Sequence, residues 1–438
     1  MTIWLNNPFD NLPEEGARPQ RYAMLSSELA HRGHTVVWWT SDFSHVLKRK
    51  RDAATLAGAA SATLLPAIPC GRDEVRGWRN ADGVQVLLVP TLPYPRNVCL
   101  ARIRSHARYA SSWKKAAIDG VKSGMLRKPD LVVTSLPPLE TASVARRFRD
   151  LWGCRLAADV QDAWPAVFEQ LLPLSEGAAH ALGSLLLCRE WRLARRAFEG
   201  ANGVMSVGKA YIDWARQNGA EGRPTIAGYL GIHVAPLTED AANPRRSDAG
   251  GGNTGGMNAL RLAYIGNMGR SYDLATVVEA VKSLVAEGAR VTLDMAGAGP
   301  DEQSLRAAAA GCDAIRFHGQ LGADALSALL ARCDAGLIPM FDRSLVVVPN
   351  KLADYAAAGL AIIDTLSGET RSLVTTHGAG VWYQARDTAA CRRAILSLAR
   401  NPGKLAACRA ASRRMAEELF DAAKIYPALC DWLEWLAR

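Results

Sequence analysis

No stretch of this chain stays apolar for long enough to cross a bilayer as a helix, so a membrane-spanning protein is not expected. There is no Cys-x-x-Cys pair, and the nine cysteines are scattered and odd in number. That argues for reduced thiols and against a disulfide framework or a zinc site. The opening residues MTIWLNNPFD have neither a basic region nor an apolar core, so export is not expected. The chain has no Asp-x-Asp, so no metal is expected to bridge a diphosphate. It also has no glycine-rich phosphate loop ending in Gly-Lys-Ser/Thr, no His-Glu-x-x-His and no Gly-x-Ser-x-Gly. Their absence argues against P-loop nucleotide hydrolysis, zinc peptidase chemistry and serine hydrolase chemistry. No internal repeat of solenoid length recurs.

What remains is an ordinary globular composition, 49% hydrophobic and 22% charged over 438 residues, and two domains are the default at that length. Both halves alternate strand and helix signals, the pattern of doubly wound parallel sheets. In the first half TIWLNN leads to a helix with apolar Tyr22, Met24, Leu25 and Leu29. That helix ends near Gly33, and strands follow at His34–Thr40, Val84–Pro90, Leu131–Ser135 and Arg155–Val160. Residues 48–70 read as a loop or an excursion. Residues 241–258, AANPRRSDAGGGNTGGMN, hold little to bury and read as a linker. A second series then begins: LRLAYIG, a helix over Asp273–Glu287, VTLDMAG, IRFHG, DAGLIPM and LAIIDT. The expected division is an N-terminal domain over 1–230, a glycine-rich linker over 231–258, a second domain over 259–416 and a closing amphipathic helix over 417–438.

The net charge is +9, and all of the excess lies in residues 1–230. Within it, Arg96 to Lys128 sets nine cations against Asp119 alone, with Tyr94, Tyr109 and Trp113 interleaved. Such a stretch suits an anionic bilayer face, where each cation contributes roughly 1 kcal/mol. A solvated helix packing its apolar stripe inward is the alternative; nucleic acid is the least favoured partner.

The most informative stretch is DAGLIPMFDRSLVVVPNKLADYAAAGLAII, residues 334–363. It reads as strand, loop, short helix, turn, strand. Pro349 suits the first helical turn and Gly359 the left-handed position after the helix. The N-terminus of such a helix favours a bound anion. Asn350 and Lys351 sit in its first turn, and Asp354 follows one turn on. Phosphates at the former and ribose hydroxyls at the latter would hold a nucleotide. The alternative is an ordinary buried αβ unit with a solvated Lys and Asp.

This stretch resembles the C-terminal half-site of retaining glycosyltransferases of family 4, in the variant Pro-x-Lys-x-x-Glu-Tyr-x-x-x-Gly found in enzymes building bacterial polysaccharide and lipopolysaccharide. Asp354 stands where the second glutamate of the family pair belongs, and Val346 where the first belongs. AGAGPDEQSLR followed by FHG is similar in order and spacing. The resemblance implies that Gly297, Gly299, Pro300 and His318 hold the base and ribose; otherwise His318 is a core or rim histidine. In LAYIGNMGRSYDL the family places an arginine and a lysine, and those positions here are Asn267 and Tyr272. Gly269 would then offer its amide to a phosphate and Arg270 the charge, unless Arg270 is a solvated loop residue.

In the first half the resemblance falls on the loop after the first strand, where Gly16 is the only glycine and Arg18 and Arg21 lie nearby. It falls also on Gln161-Asp162-Ala163-Trp164-Pro165. Asp162 reads as a hydrogen-bond acceptor for an acceptor hydroxyl, with a turn or cap role as the alternative.

The resemblance implies an α/β, GT-B fold: two doubly wound, Rossmann-like domains facing a central cleft, the C-terminal helix crossing back onto the first. It implies sugar transfer with retention from a nucleotide-diphosphate sugar, UDP-sugar favoured. Asp162, Arg270 and Lys351 would act at the reaction centre. Gly16, Gly269, Gly297, Gly299, Pro300, His318, Asn350 and Asp354 would bind the nucleotide sugar. No cofactor and no metal are expected. The basic first half suggests a lipid-linked saccharide acceptor and a place at the inner face of the cell membrane. A nucleotide-sugar 2-epimerase of the same fold and a non-catalytic scaffold are the alternatives.

Overall fold

The computed structural model describes residues 1–97, 99–169, 176–235, 259–341 and 345–438. The 241–258 linker lies outside the described residues. The chain forms two compact units, one of Met1–Tyr229 with Ala423–Arg438 and the other of Leu230–Ala422.

The first unit carries β1 (Thr2–Asn6), β2 (Thr35–Ser41), β3 (Thr63–Leu64), β4 (Ile68–Cys70), β5 (Asp73–Arg79), β6 (Gln85–Val89), β7 (Leu131–Leu136), β8 (Arg155–Val160), β9 (Gly203–Ser206) and β10 (Thr225–Ala227). The sheet order is β10-β9-β8-β7-β1-β2-β6-β5-β3, with β4 paired to β5. From β10 to β6 it is parallel, and β1, β7 and β9 are buried at every residue. Burial on both faces is why these strands read as unbroken apolar runs rather than alternating ones. The 48–70 excursion resolves into a helix, Ala53–Ala59, capped by Asp52 accepting from Thr55 N, and into β3 and β4, which pair antiparallel with β5.

The basic segment is the helix Leu100–Lys122. Its aromatic residues are not displayed: Tyr94, Tyr109 and Trp113 are all buried, the last completely. Tyr109 and Trp113 stand one turn apart with Ala116 and Ala117 on the face that packs inward. Arg104, Lys114, Lys115 and Lys122 remain exposed.

The closing helix begins later than the sequence suggests. Glu417–Leu419 end the helix Pro402–Leu419, and a second helix spans Ala422–Ala437. Between them Ile232 N donates to Phe420 O and Ala422 N donates to Ile232 O, a bridge that takes the backbone out of helical geometry. The last helix packs within the first unit, where Arg32 Nη1 meets Asp431 at 2.6 Å and His34 Nε2 meets Glu434 at 2.9 Å.

The second unit holds β11 (Leu260–Ile265), β12 (Val291–Ala296), β13 (Ile315–Gly319), β14 (Ala335–Ile338), β15 (Ala361–Asp364) and β16 (Gly380–Trp382). All six are parallel in the order β13-β12-β11-β14-β15-β16. The core lies under the helix Leu274–Ala286, with Leu262, Tyr264, Leu293, Met295 and Leu337 beneath it. The strand order reverses between β11 and β14. In an open parallel sheet the crevice for ligands opens at the carboxyl ends of the two strands where that reversal occurs.

Candidate functional site

The loop after β11 and the helix Asn350–Ala357 after β14 meet at that reversal. The helix begins one residue later than its proline suggests: Pro349 is the N-cap, in extended conformation, and its carbonyl accepts from Leu352 N at 2.9 Å. Asn350 and Lys351 are therefore the first two helical residues. The helix stops at Gly359, which has φ 66, while Leu360 N returns to Tyr355 O at 3.0 Å. Tyr355, on the buried face, accepts from Ile265 N at 2.9 Å and donates to Leu337 O at 3.2 Å, tying the helix to β11 and β14.

Lys351 is buried, only 6% exposed, and its Nζ has no hydrogen-bond partner among the described residues. The ammonium lies 4.1 Å from the centroid of the Tyr264 ring and 4.0 Å from that of Tyr272. Burial pushes its pKa well below that of an ordinary lysine, with Asp354 acting in the opposite direction. A Cβ added at Gly266 would stand 3.8 Å from the same Nζ. The helix side chain thus reaches the glycine loop after β11.

That loop is held from both sides. Gly266 N donates to Ala296 O and Met268 N to Ala298 O, while Asp301 N donates back to Met268 O at 2.9 Å. Gly297 and Gly299 are required by close approach: a Cβ at Gly297 would stand 1.9 Å from Gly266 O, and one at Gly299 2.2 Å from Met268 O. Across the reversal, Asp273 N donates to Pro339 O at 2.7 Å. Within the loop the amides of Gly269 and Arg270 have no partner among the described residues. The Arg270 side chain is exposed.

Gly269, Arg270, Gly297, Gly299, Asn350 and Lys351 therefore gather at one end of one sheet. Pro300 precedes the helix Glu302–Ala309, at whose start the amides of Asp301 and Glu302 are taken by Met268 O and Gly299 O. Asp354, partly buried, is one turn beyond Asn350. His318, on β13, bonds Asp294 through Nε2 at 2.7 Å. Val346 is exposed and supplies no carboxylate.

Sequence reasoning missed Tyr264, Tyr272 as a ring rather than a lost lysine, and Asp364. Asp364 ends β15, is buried, accepts from Leu366 N at 2.9 Å through Oδ1 and leaves Oδ2 unpartnered among the described residues. Burial raises its pKa to about 7.

In the first unit, Gly16 follows the short helical turn Pro13–Glu15 and is exposed. Arg21 is not free to meet a ligand. It is buried and pairs with Asp159 through two bonds of 3.0 Å, donating also to Gly228 O at 2.8 Å. Asp162 follows β8 in a turn, accepting from Ala163 N at 3.0 Å through Oδ1 and from Trp164 N at 2.9 Å through its carbonyl. It caps no helix. Burial raises its pKa, against the Ala163 N–H, the Trp164 side chain and the charge of Arg102. Arg102 lies 4.7 Å from the centroid of the Trp164 ring and 5.1 Å from that of Phe9. His45 and His106 stand in the same cluster, both held neutral by burial and by Arg102, with pKa values near 3.

Residues 259–401 match the family model "Glycosyl transferases group 1". No curated relative matches in sequence. Among solved structures, the chain is similar to sucrose-phosphate synthase from Thermosynechococcus elongatus, with a TM-score of 0.67 at 14% identity, covering 99% of this chain and 98% of that one. It is similar to Anabaena Alr3699/HepE in complex with UDP-glucose, TM-score 0.61 at 12% identity, with 99% and 100% covered. It is similar also to WaaG, a glycosyltransferase involved in lipopolysaccharide biosynthesis, TM-score 0.58 at 13% identity, with 99% of each chain covered. The fold is α/β, with two parallel-sheet, Rossmann-like domains as in these GT-B structures.

Proposed function

We propose that this chain, a glycosyltransferase by the group 1 domain of its second unit, moves a sugar from a UDP-sugar to a lipid-linked saccharide at an anionic membrane surface, with retention of configuration. The observation that carries the reading is the Lys351 ammonium, buried and unpartnered beside the glycine loop at the sheet reversal. A buried ammonium with no hydrogen-bond partner among the described residues, next to the unpartnered amides of Gly269 and Arg270, suits a diphosphate.

In this chemistry the leaving diphosphate must be stabilised as negative charge develops on it. Lys351, Arg270 and the amides of Gly269, Arg270 and Asn350 are assigned that charge in place of a divalent ion. Asp354 takes the ribose hydroxyls, Gly297 and Gly299 leave room for the nucleoside, and Asp162 accepts from the acceptor hydroxyl. UDP is favoured because Alr3699/HepE, similar in fold, was solved with UDP-glucose; starch synthase IV of Arabidopsis thaliana, similar in the same way, was bound to ADP. No helix among the described residues is long and apolar enough to cross a membrane. Peripheral attachment at the inner face of the cell membrane is assigned to the exposed cations Arg104, Lys114, Lys115 and Lys122.

Thermal stabilisation by UDP, GDP and ADP tests the donor site. A ligand at about 100 times its dissociation constant stabilises by about 2.7 kcal/mol. UDP is expected to raise the melting temperature most, and turnover of a UDP-sugar is expected only with lipid extract present. No shift with any nucleotide would refute the reading, and turnover without an acceptor would favour an epimerase.

A further inference from the structure

The first unit contains a cavity of about 320 Å³ that the donor chemistry does not use. Leu100, Ile103, Leu139, Phe168, Leu187 and Leu193 line it. Its volume falls in the range of ligand pockets. Two of these side chains stand at its rim in solvent, Leu100 at 74% and Ile103 at 40% exposure, and the neighbouring Leu185 and Leu186 are 72% and 64% exposed. Exposed apolar side chains grouped around an apolar cavity mark a binding surface more often than isolated ones do.

One end of the cavity is charged. Arg102 and Trp164 both line it, the guanidinium lying over the indole. Arg102 Nη1 donates to Asn97 O at 2.8 Å and Nε to His106 Nε2 at 3.3 Å. Its Nη2 has no partner, and it forms no ion pair, among the described residues. Lys48 shares Asn97, donating to Oδ1 at 2.6 Å. At the other end the carboxylates of Glu140 and Glu190 are both met by Arg189, at 3.6 and 3.0 Å. Two carboxylates against one guanidinium leave that end net negative, so the cationic end of the cavity is the one at Arg102 and Lys48, beside Asp162 and Trp164.

We propose that this cavity holds the hydrocarbon chain of a phosphate-bearing lipid, its phosphate on Arg102 and Lys48 and its glycan directed to Asp162. The inference rests on the lipid-linked acceptor of the proposed function and locates it. Charge complementarity selects the head group, and the six apolar side chains select the tail.

The test is binding of dodecyl phosphate, below micelle-forming concentration, by calorimetry on the full-length protein, with UDP affinity measured on the same samples. Dodecyl phosphate is expected to bind at one site at least about a hundredfold tighter than inorganic phosphate, because several methylenes leave water. Dodecyl maltoside is expected to bind at least about tenfold more weakly than dodecyl phosphate. Arg102→Gln and Ile103→Trp, the latter filling the rim, are each expected to weaken dodecyl phosphate about tenfold or more and to leave UDP affinity unchanged. Arg102→Lys is expected to restore part of the loss. Dodecyl phosphate binding no tighter than phosphate, or equally to wild type and both variants, would overturn the inference. So would a dimer that Ile103→Trp dissociates while no amphiphile binds. In each of those outcomes intact UDP affinity would leave the donor site standing.

Discussion

Lys351 Nζ lies 4.0 Å from the centroid of the Tyr272 ring, with no described residue accepting a hydrogen bond from it. Tyr272 stands where the family resemblance would put a lysine; here the cation arrives from the helix instead and rests against that ring. Cation–π attraction contributes about 0.5–2 kcal/mol, whereas leaving a buried charged donor without a partner costs about 1–3 kcal/mol or more. The second effect outweighs the first, so the arrangement favours a ligand that brings negative charge.

Replacing Lys351 by Met keeps the side-chain volume and removes the charge. UDP affinity is expected to fall about 10- to 150-fold, the equivalent of one charge-assisted hydrogen bond. The unliganded variant is expected to melt higher than wild type at neutral pH. The sign follows from the lowered lysine pKa: the folded protein binds fewer protons than the unfolded chain between that value and about 10.4. Wild-type stability at this group therefore improves as pH rises through that window, and the advantage of Lys351→Met shrinks with it. Melting curves at pH 7 and pH 9.5 check this.

Binding of a diphosphate beside Lys351 raises its proton affinity again. UDP binding is expected to take up protons at pH values between that lowered pKa and about 10.4, read by calorimetry in buffers of different ionisation enthalpy. Lys351→Met is expected to abolish the uptake.

Asp364 gives a second pH signature, of opposite sign. Its pKa of about 7 lies above its ordinary value of 3.8, so the folded state holds the proton longer than the unfolded chain. Stability is expected to fall as pH rises from about 4 to about 7, by an amount on the order of a few kcal/mol. Asp364→Asn, whose amide nitrogen takes the place of the unpartnered Oδ2, is expected to flatten that slope and to melt higher than wild type at pH 8. An unchanged slope would reject the assignment.

Much of the frame was legible in the sequence, because parallel strands buried on both faces write themselves as apolar runs. Arg155–Val160 reads correctly at both ends, and Gly359 marks the helix stop. The crevice was legible through Lys351 and the Gly297–Gly299 turn. The aromatic walls around Lys351 were not, because Tyr264 and Tyr272 meet it only through tertiary packing and no local pattern links them. The basic segment misled in one respect. Tyr109 and Trp113 are spaced for one helix face, and that face turns inward rather than toward a membrane.

The exposed cations on that helix give their own prediction. Reversing Arg104, Lys114 and Lys115 to Glu is expected to release the protein from vesicles rich in anionic lipid by about a hundredfold or more, at about 1 kcal/mol per cation lost. Sedimentation with vesicles of defined composition measures it, and unchanged binding would move the contact elsewhere.

The decisive measurement for the donor site is a crystal structure with a UDP-sugar bound. The diphosphate is expected within hydrogen-bonding distance of Lys351 Nζ and the Gly269 amide. A diphosphate lodged away from the Pro349–Lys351 turn, with the Lys351 ammonium still enclosed by its two tyrosines, would contradict it.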